Sequence, residues 1–359
     1  MRADDGRGPL RSEKVYQRGA GQTSSRSRHG GGTGPGRGRR GRLGLLGMAE
    51  TTLGQTTEEI RAMARSILHM LTPLKHMSPF DVNMAVDAGF EVVTAYTGVT
   101  LTEVGPLVQD SIFSRAPQDG ARTGLFIAGK NAEDALDMVD RARKAFVPPF
   151  VNHVFADPAG SFTTGAAMVA QVNKALRDRF GEGLPGQRIV IFGGAGVVAY
   201  VAAVIGAIEG ARPVLVGHDG QERVSKIAAT MKWRFDIDVE AVDGAGGEAR
   251  RAAIAQADVI LSAGPAGVAI LSAEDLDHAP QLKVASDVNA VPPAGIAGID
   301  VNAACAPLPS GRGVGIGALA VGDVKYKTQA GLFRRMLASS EPLCLDFRDA
   351  YRLAVEIAG

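Results

Sequence analysis

One glycine-rich turn and three polar clusters are the parts of this chain whose residue types and spacing could do chemistry. The turn is Ile-Val-Ile-Phe-Gly-Gly-Ala-Gly-Val-Val-Ala, residues 189–199. Its apolar run reads as a short buried strand, and the glycines open a helix through Gly194-x-Gly196-x-x-Ala199. Gly194 permits a tight turn, Gly196 lets a pyrophosphate approach the backbone, and the small Ala199 lets the helix pack close to the strand. A helix N-terminus offers free N–H groups and the positive end of a dipole to phosphate. Gly193, Gly194, Ala195, Gly196, Val197 and Val198 are therefore expected to hold a dinucleotide.

The next strand should end beside the adenosine ribose, about 20 residues on. It ends Val216-Gly217-His218-Asp219. Asp219 can accept hydrogen bonds from a ribose 2′-hydroxyl and would repel a 2′-phosphate. His218 is the counter-charge within the turn, so the pair points to NAD with NADP tolerated. Asp219 can also cap the helix that follows. A second loop, Ser262-Ala263-Gly264-Pro265-Ala266-Gly267, is expected to pass under the nicotinamide, with Ser262, Ala263 and Gly264 against the ring. It can also be read as a plain Gly/Pro turn.

The polar clusters are Thr72-Pro73-Leu74-Lys75-His76, residues 157–164 (Asp-Pro-Ala-Gly-Ser-Phe-Thr-Thr), and residues 286–293 (Ser-Asp-Val-Asn-Ala-Val-Pro-Pro). Each falls at the end of an expected strand, where open α/β sheets bind ligands. Lys75, Asp157, Ser161, Thr163, Thr164 and Asp287 are assigned to a second substrate, and Asn289 to the nucleotide. Caps and turn formers remain an alternative for Ser161, Thr163, Asp287 and Asn289. No Gly-x-Ser-x-Gly elbow is present, and the six histidines show no metal-ligand spacing. The chemistry must come from the bound nucleotide, without a metal.

Alternating strand and helix patterns must position these groups. Strands are expected at 66–71, 91–95, 123–128, 150–156, 188–192, 212–217, 238–242, 257–262, 283–287 and 313–321. Helices are expected at 79–88, with Ser78 and Pro79 at its start, then at 102–109, 131–144, 163–180, 196–209, 221–232, 247–256, 273–278, 325–337 and 350–357. This order predicts an α/β fold of two domains. One is a Rossmann-type parallel-sheet NAD(P) domain over 163–324. The other is an α/β domain for the second substrate over 63–162, completed by C-terminal helices over 325–359.

Residues 1–62 read as a disordered basic extension. Residues 1–42 carry eleven Arg or Lys against three acidic residues, a net +8, which leaves −7 for the remainder of a chain at +1. So acidic a folded part speaks against nucleic acid as a partner. The extension is read as upstream sequence, with Met48 or Met63 as alternative starts, in preference to a targeting or nucleic-acid-binding arm. No apolar run approaches the ~18 residues of a membrane span. With only Cys305 and Cys344, the composition suits a reducing cytoplasm and speaks against a disulfide framework.

Residues 63–359 resemble the NAD(P)-dependent methylene-tetrahydromethanopterin dehydrogenases of methylotrophic bacteria. The resemblance is carried by 157–164, Phe-Gly-Gly-Ala-Gly-Val-Val at 192–198, 262–267, 286–293 with Gly-Ile-Ala-Gly-Ile-Asp at 295–300, and Gly-Ile-Gly-Ala-Leu-Ala-Val-Gly-Asp-Val-Lys-Tyr-Lys at 315–327. It implies oxidation of 5,10-methylene- to 5,10-methenyl-tetrahydromethanopterin by NAD or NADP, a step of formaldehyde oxidation, in a homo-oligomer. The strictly NADP-dependent branch has an Arg and, four residues on, a Lys where this chain has His218 and Glu222, which implies use of either nucleotide. The resemblance also implies that Lys325 lies in the active site, where it would orient the polar edge of the pterin or a water. A methylene-tetrahydrofolate dehydrogenase and a catalytically silent nucleotide-binding protein are the alternatives.

Overall fold

From Ala64 onward, short apolar runs alternate with amphipathic ones. In a computed structural model, which describes residues 64–359, they become strands and helices in nearly the expected order. The basic extension and the starts at Met48 and Met63 lie outside the described residues.

The first part runs β1 (Ile67–Thr72), α1 (Pro79–Ala88), β2 (Val92–Thr97), α2 (Leu101–Phe113), β3 (Thr123–Ile127), α3 (Ala132–Ala145) and β4 (His153–Ala156). Local chemistry sets the helix ends. Pro79 opens α1 after Ser78, and Gly89 closes it in the left-handed region at φ +116°. Asn131 caps α3 by accepting from the N–H groups of Glu133 and Asp134, while Arg143 and Lys144 sit at its negative end.

A long helix, α4 (Ser161–Phe180), leads into β5 (Arg188–Phe192), α5 (Val197–Ile208), β6 (Arg212–Gly217), α6 (Glu222–Phe235), β7 (Glu240–Asp243), α7 (Gly247–Ile254), β8 (Val259–Ser262), α8 (Ala273–Asp277), β9 (Val284–Asp287), β10 (Ala304–Pro307) and β11 (Val314–Ile316). The chain ends with α9 (Ala318–Ala338), β12 (Cys344–Leu345) and α10 (Phe347–Ala358).

The strands form two sheets, ordered β12-β4-β3-β1-β2 and β10-β11-β9-β8-β5-β6-β7. Every pairing is parallel except β10 with β11. β5 shows why its run is continuously apolar. Ile189 and Ile191 join the core shared with the first sheet, whereas Val190 and Phe192 face a second core on the other side. The strand order reverses between β5 and β8, which opens a crevice at their carboxyl ends. Helices from both parts meet beside it. Arg234 of α6 bonds Glu133 at 2.8 Å and Asp140 at 3.1 Å on α3, and also reaches Asp137.

Two expectations need correction. The strand foreseen at 313–321 is only β11, and α9 begins at Ala318, seven residues before the helix start expected at 325. The run Ala-Leu-Ala-Val at 318–321 suits strand or helix equally, and apolar periodicity alone does not separate them. β10 and β12 were not foreseen, because one is an exposed edge and the other has two residues. The expected domain boundaries at 162/163 and 324/325 lie within α4 and α9, the long helices that lead from one sheet to the other.

Candidate active site

The glycine turn is built so that backbone meets backbone. Gly193 adopts φ +76°, and a Cβ there would lie 2.4 Å from the Ala263 carbonyl oxygen. A Cβ on Gly194 would lie 3.0 Å from Val224 Cγ1 and 3.1 Å from the Val216 oxygen. Gly196 is exposed and caps α5, whose first-turn N–H groups have no intrahelical acceptor. Ala195, Gly196 and Val197, with Lys130, Asn131 and Lys226, line a cavity of about 210 Å³, and Val198 is half-buried in the same turn. A phosphate-bearing ligand fits this cradle, because a side chain would fill it and the N–H groups need an acceptor.

The neighbouring loops close around it. Ala263 packs on Gly193, a Cβ on Gly264 would meet Ile270 Cδ1 at 2.5 Å, and buried Ser262 Oγ has no partner. His218 and Asp219 sit exposed at the end of β6, with Nδ1 and Oδ1 3.8 Å apart. Asp219 does not cap α6, which begins at Glu222 after Gln221.

Asp287 and Asn289 are spent on the backbone. Asp287 accepts from the N–H groups of Asn289, Gly295 and Ile296 at 3.0, 2.6 and 3.1 Å. Asn289 accepts from Gly267 and Val291 N–H at 3.0 Å each and donates to the Pro293 carbonyl at 2.8 Å. Both line a separate cavity of about 230 Å³. Asp287 is 2% exposed, and its carboxylate shapes the 287–296 loop. Asn289 ties down Gly267 of the 262–267 loop.

A larger cleft of about 750 Å³ opens where the β1–α1, β3–α3 and β4–α4 connections meet α9, and Lys75 is exposed on its wall. Lys325, in the second turn of α9, reaches into it. Its ammonium lies 3.9 Å from the centre of the Phe80 ring and donates to Gln329 Oε1 at 2.6 Å. A Cβ on Gly160 would come within 3.0 Å of Nζ, so the ammonium rests on bare backbone. Gln329 in turn donates from Nε2 to Asp81 Oδ1 at 2.8 Å.

Asp157 is wholly buried and works as the cap of α4. Its Oδ1 accepts from Phe162 and Thr163 N–H at 2.9 and 3.1 Å, and Oδ2 accepts from Thr163 Oγ1 at 2.6 Å. The capping role considered for Ser161 and Thr163 thus belongs to Asp157. Thr163 is buried behind that carboxylate, Thr164 Oγ1 bonds the Gly160 carbonyl at 2.7 Å, and Ser161 opens the helix half-buried. Of the expected substrate residues, the cleft wall holds Lys75 and Lys325.

Burial shapes the charges here. It pushes the Asp157 carboxyl up to about 6, against the pull of Lys325 and Thr163. Burial also raises Asp81 and lowers Lys325, whose ammonium the two carboxylates support. Asp81, Gln329, Phe80 and Lys130 were not singled out in the sequence. The one local signal was the four-residue spacing of Lys325 and Gln329, which puts both on one helix face.

A pH dependence follows. Asp157 carries charge only above about 6, so turnover should rise with pH through that value as the carboxylate begins to support Lys325. Asp157→Asn keeps an acceptor for the α4 N–H groups and should abolish this acid limb. The stability effect has the opposite sign, because the folded value lies above the unfolded one. The stabilisation is complete below about 3.8 and is lost as pH rises through about 6, a change of about 3 kcal/mol. Paired pH–rate and pH–melting profiles of the two proteins check both signs.

Among the described residues, no group of three or more His, Cys, Asp or Glu could hold a metal ion, and no helix is long and apolar enough to cross a membrane. Residues 79–159 match the family described as methylene-tetrahydromethanopterin dehydrogenase, N-terminal. The chain is 81% identical over 297 residues to the NAD(P)-dependent methylenetetrahydromethanopterin dehydrogenase of Methylorubrum extorquens, covering 83% of this chain and all of that relative. It is 30% identical over 300 residues to the bifunctional protein MdtA of the same organism, covering 82% of this chain and all of that relative. Among solved structures, the NAD-dependent malic enzyme of Thermotoga maritima has a similar fold, with a TM-score of 0.52 at 12% identity over 88% of this chain and 90% of that one. The 81% identity along the whole of the Methylorubrum extorquens dehydrogenase places this chain in the NAD(P)-dependent methylenetetrahydromethanopterin dehydrogenase family.

Proposed function

We propose that this protein moves a hydride from the methylene carbon of 5,10-methylene-tetrahydromethanopterin to NAD+ or NADP+, leaving the 5,10-methenyl product. One observation carries the reading: Lys130 lines both the Lys325 cleft and the cavity at the glycine turn, so the two ligand sites share a wall. Two rings can thus be brought face to face, and such placement is the main demand of the reaction. The bound nicotinamide supplies the carbon that accepts the hydride.

The glycine turn and the α5 N-terminus hold the pyrophosphate, Asp219 and His218 meet the ribose, and the 262–267 loop backs the nicotinamide. No protein base is needed, because the methylene carbon lies between two nitrogens whose lone pairs stabilise the methenyl cation. Lys325 would repel that cation if it stood alone. Ionised Asp157 and Asp81 turn the trio to a net −1, which frees the ammonium to bind the carbonyl edge of the pterin or a water. Residues 63–162 with 325–359 would serve the pterin and 163–324 the nucleotide. A homo-oligomer in the cytoplasm, where Cys305 and Cys344 stay reduced, completes the reading.

The test is nucleotide reduction by purified protein, with methylene-tetrahydromethanopterin and methylene-tetrahydrofolate each offered with NAD+ and NADP+. The methanopterin substrate should be turned over with both nucleotides. Turnover of the folate alone, or nucleotide binding without turnover, would replace this reading.

A further inference from the structure

Gln329 and Asp81 lie 248 residues apart in sequence and meet in the floor of the cleft, 0% and 1% exposed. Their bonds form a chain with a direction: Lys325 Nζ donates to Gln329 Oε1, and Gln329 Nε2 donates to Asp81 Oδ1. An ammonium can only donate and a carboxylate can only accept. Only one orientation of the Gln329 amide satisfies both neighbours, and its reverse would aim N–H groups at the ammonium and a carbonyl at the carboxylate. Asp81 Oδ2 is buried with no partner of its own. A buried carboxylate with half of its acceptors idle is costly to keep, so its place here needs a reason beyond packing.

We propose that Asp81 and Gln329 are positioning residues for the hydride-transfer site: Asp81 sets which way the Gln329 amide faces, and Gln329 thereby aims the Lys325 ammonium into the cleft. The proposal rests on the dehydrogenase reading above. It adds that Lys325 is not a freely swinging surface lysine. Phe80, the Gly160 backbone and the Gln329 carbonyl confine it from three sides, and one remote carboxylate fixes the sense of that last contact.

The direction of the chain allows a rescue experiment with isosteric variants. In Asp81→Asn, the new amide can donate, so Gln329 can turn over and present N–H groups to Lys325. In Gln329→Glu, two carboxylates share one hydrogen bond, which holds only while one of them keeps a proton. Asp157 and Lys325 are the other charged groups facing this pair. The exchange of both residues, Asp81→Asn with Gln329→Glu, rebuilds an unbroken chain of the same net charge: Lys325 donates to Glu at 329, which accepts from Asn at 81.

Asp81→Asn should lower kcat at least about tenfold across the pH range with nucleotide KM unchanged, as expected for a misplaced catalytic group. Gln329→Glu should lose turnover progressively as pH rises. The exchange should return kcat to within about threefold of the parent and flatten that pH dependence, since restoring the chain restores the placement. An exchange as impaired as Asp81→Asn alone, or an Asp81→Asn protein with parental kcat, would overturn the proposal.

The ¹⁵N resonance of Lys325 Nζ gives a second readout that needs no turnover. It should move in Asp81→Asn and return in the exchange, and an unmoved resonance also overturns the proposal. A parent protein without turnover on the methanopterin substrate would overturn the dehydrogenase reading instead, and the resonance would still decide the positioning claim.

Discussion

Lys325→Met should cut kcat about a hundredfold while leaving nucleotide KM near its parental value, the loss typical of removing one preorganised charged donor from a closed site. Methionine keeps most of the lysine stem, so contacts with Phe80 and the Gly160 backbone survive and the change isolates the ammonium. Its removal also leaves Asp157 no ammonium to support, so the acid limb of turnover near pH 6 should disappear, as in Asp157→Asn. Lys325 is not among the residues lining the cavity at the glycine turn, which is why nucleotide binding should be spared. Steady-state kinetics with each substrate varied in turn decide the matter, and a variant within threefold of parental kcat would remove Lys325 from the mechanism.

Gly193→Ala should do the opposite, damaging nucleotide binding and the fold together. The new Cβ would face backbone, 2.4 Å from the Ala263 oxygen and 2.7 Å from the Gly264 nitrogen, in a residue held at φ +76°. Neither neighbour can rotate away, so the 262–267 loop must shift. The left-handed conformation alone costs about 1–2 kcal/mol, and the displaced loop adds to that. KM for both nucleotides should rise more than about tenfold, with a lower melting temperature. Gly196→Ala makes the contrast. Its Cβ would lie 3.3 Å from the Gly193 oxygen with ordinary φ, in the gap where a pyrophosphate must approach. That variant should keep its melting temperature and still bind nucleotide poorly. Equal melting losses in the two variants would contradict the division between a structural and a ligand-approach glycine.

These two sites differ in how much of them could be read from sequence. The glycine turn is local: strand, turn and helix follow one another in eleven residues, and each glycine has its own reason. The succession of strands and helices was legible for the same reason, since apolar runs and their caps are short-range signals, whereas the order of strands within each sheet depends on non-local pairing. The Lys325 site is assembled from four separate segments, and no window of sequence holds Asp81 and Gln329 together. Asp81 stands in the first turn of a helix, where the dipole favours any acidic residue, so its type and place carry no signal of a site. Asp157 was marked for the substrate because it stands in a polar cluster at a strand end. Its three hydrogen bonds instead go to the first turn of α4, a role that depends on the left-handed turn through Ala159 and Gly160. Asp287 raises the same ambiguity, because a buried carboxylate and a ligand contact share one sequence signature and differ only in where the nearest N–H groups lie.

Hydride should pass directly from the pterin carbon to the nicotinamide, with no proton exchanged through a protein base. Methylene-tetrahydromethanopterin carrying two deuterium atoms on the reacting carbon tests this most directly, with mass spectrometry of the reduced nucleotide as the readout. Direct transfer predicts one deuterium in every reduced nucleotide and one retained on the methenyl carbon. Reduced nucleotide that lacks deuterium would contradict it.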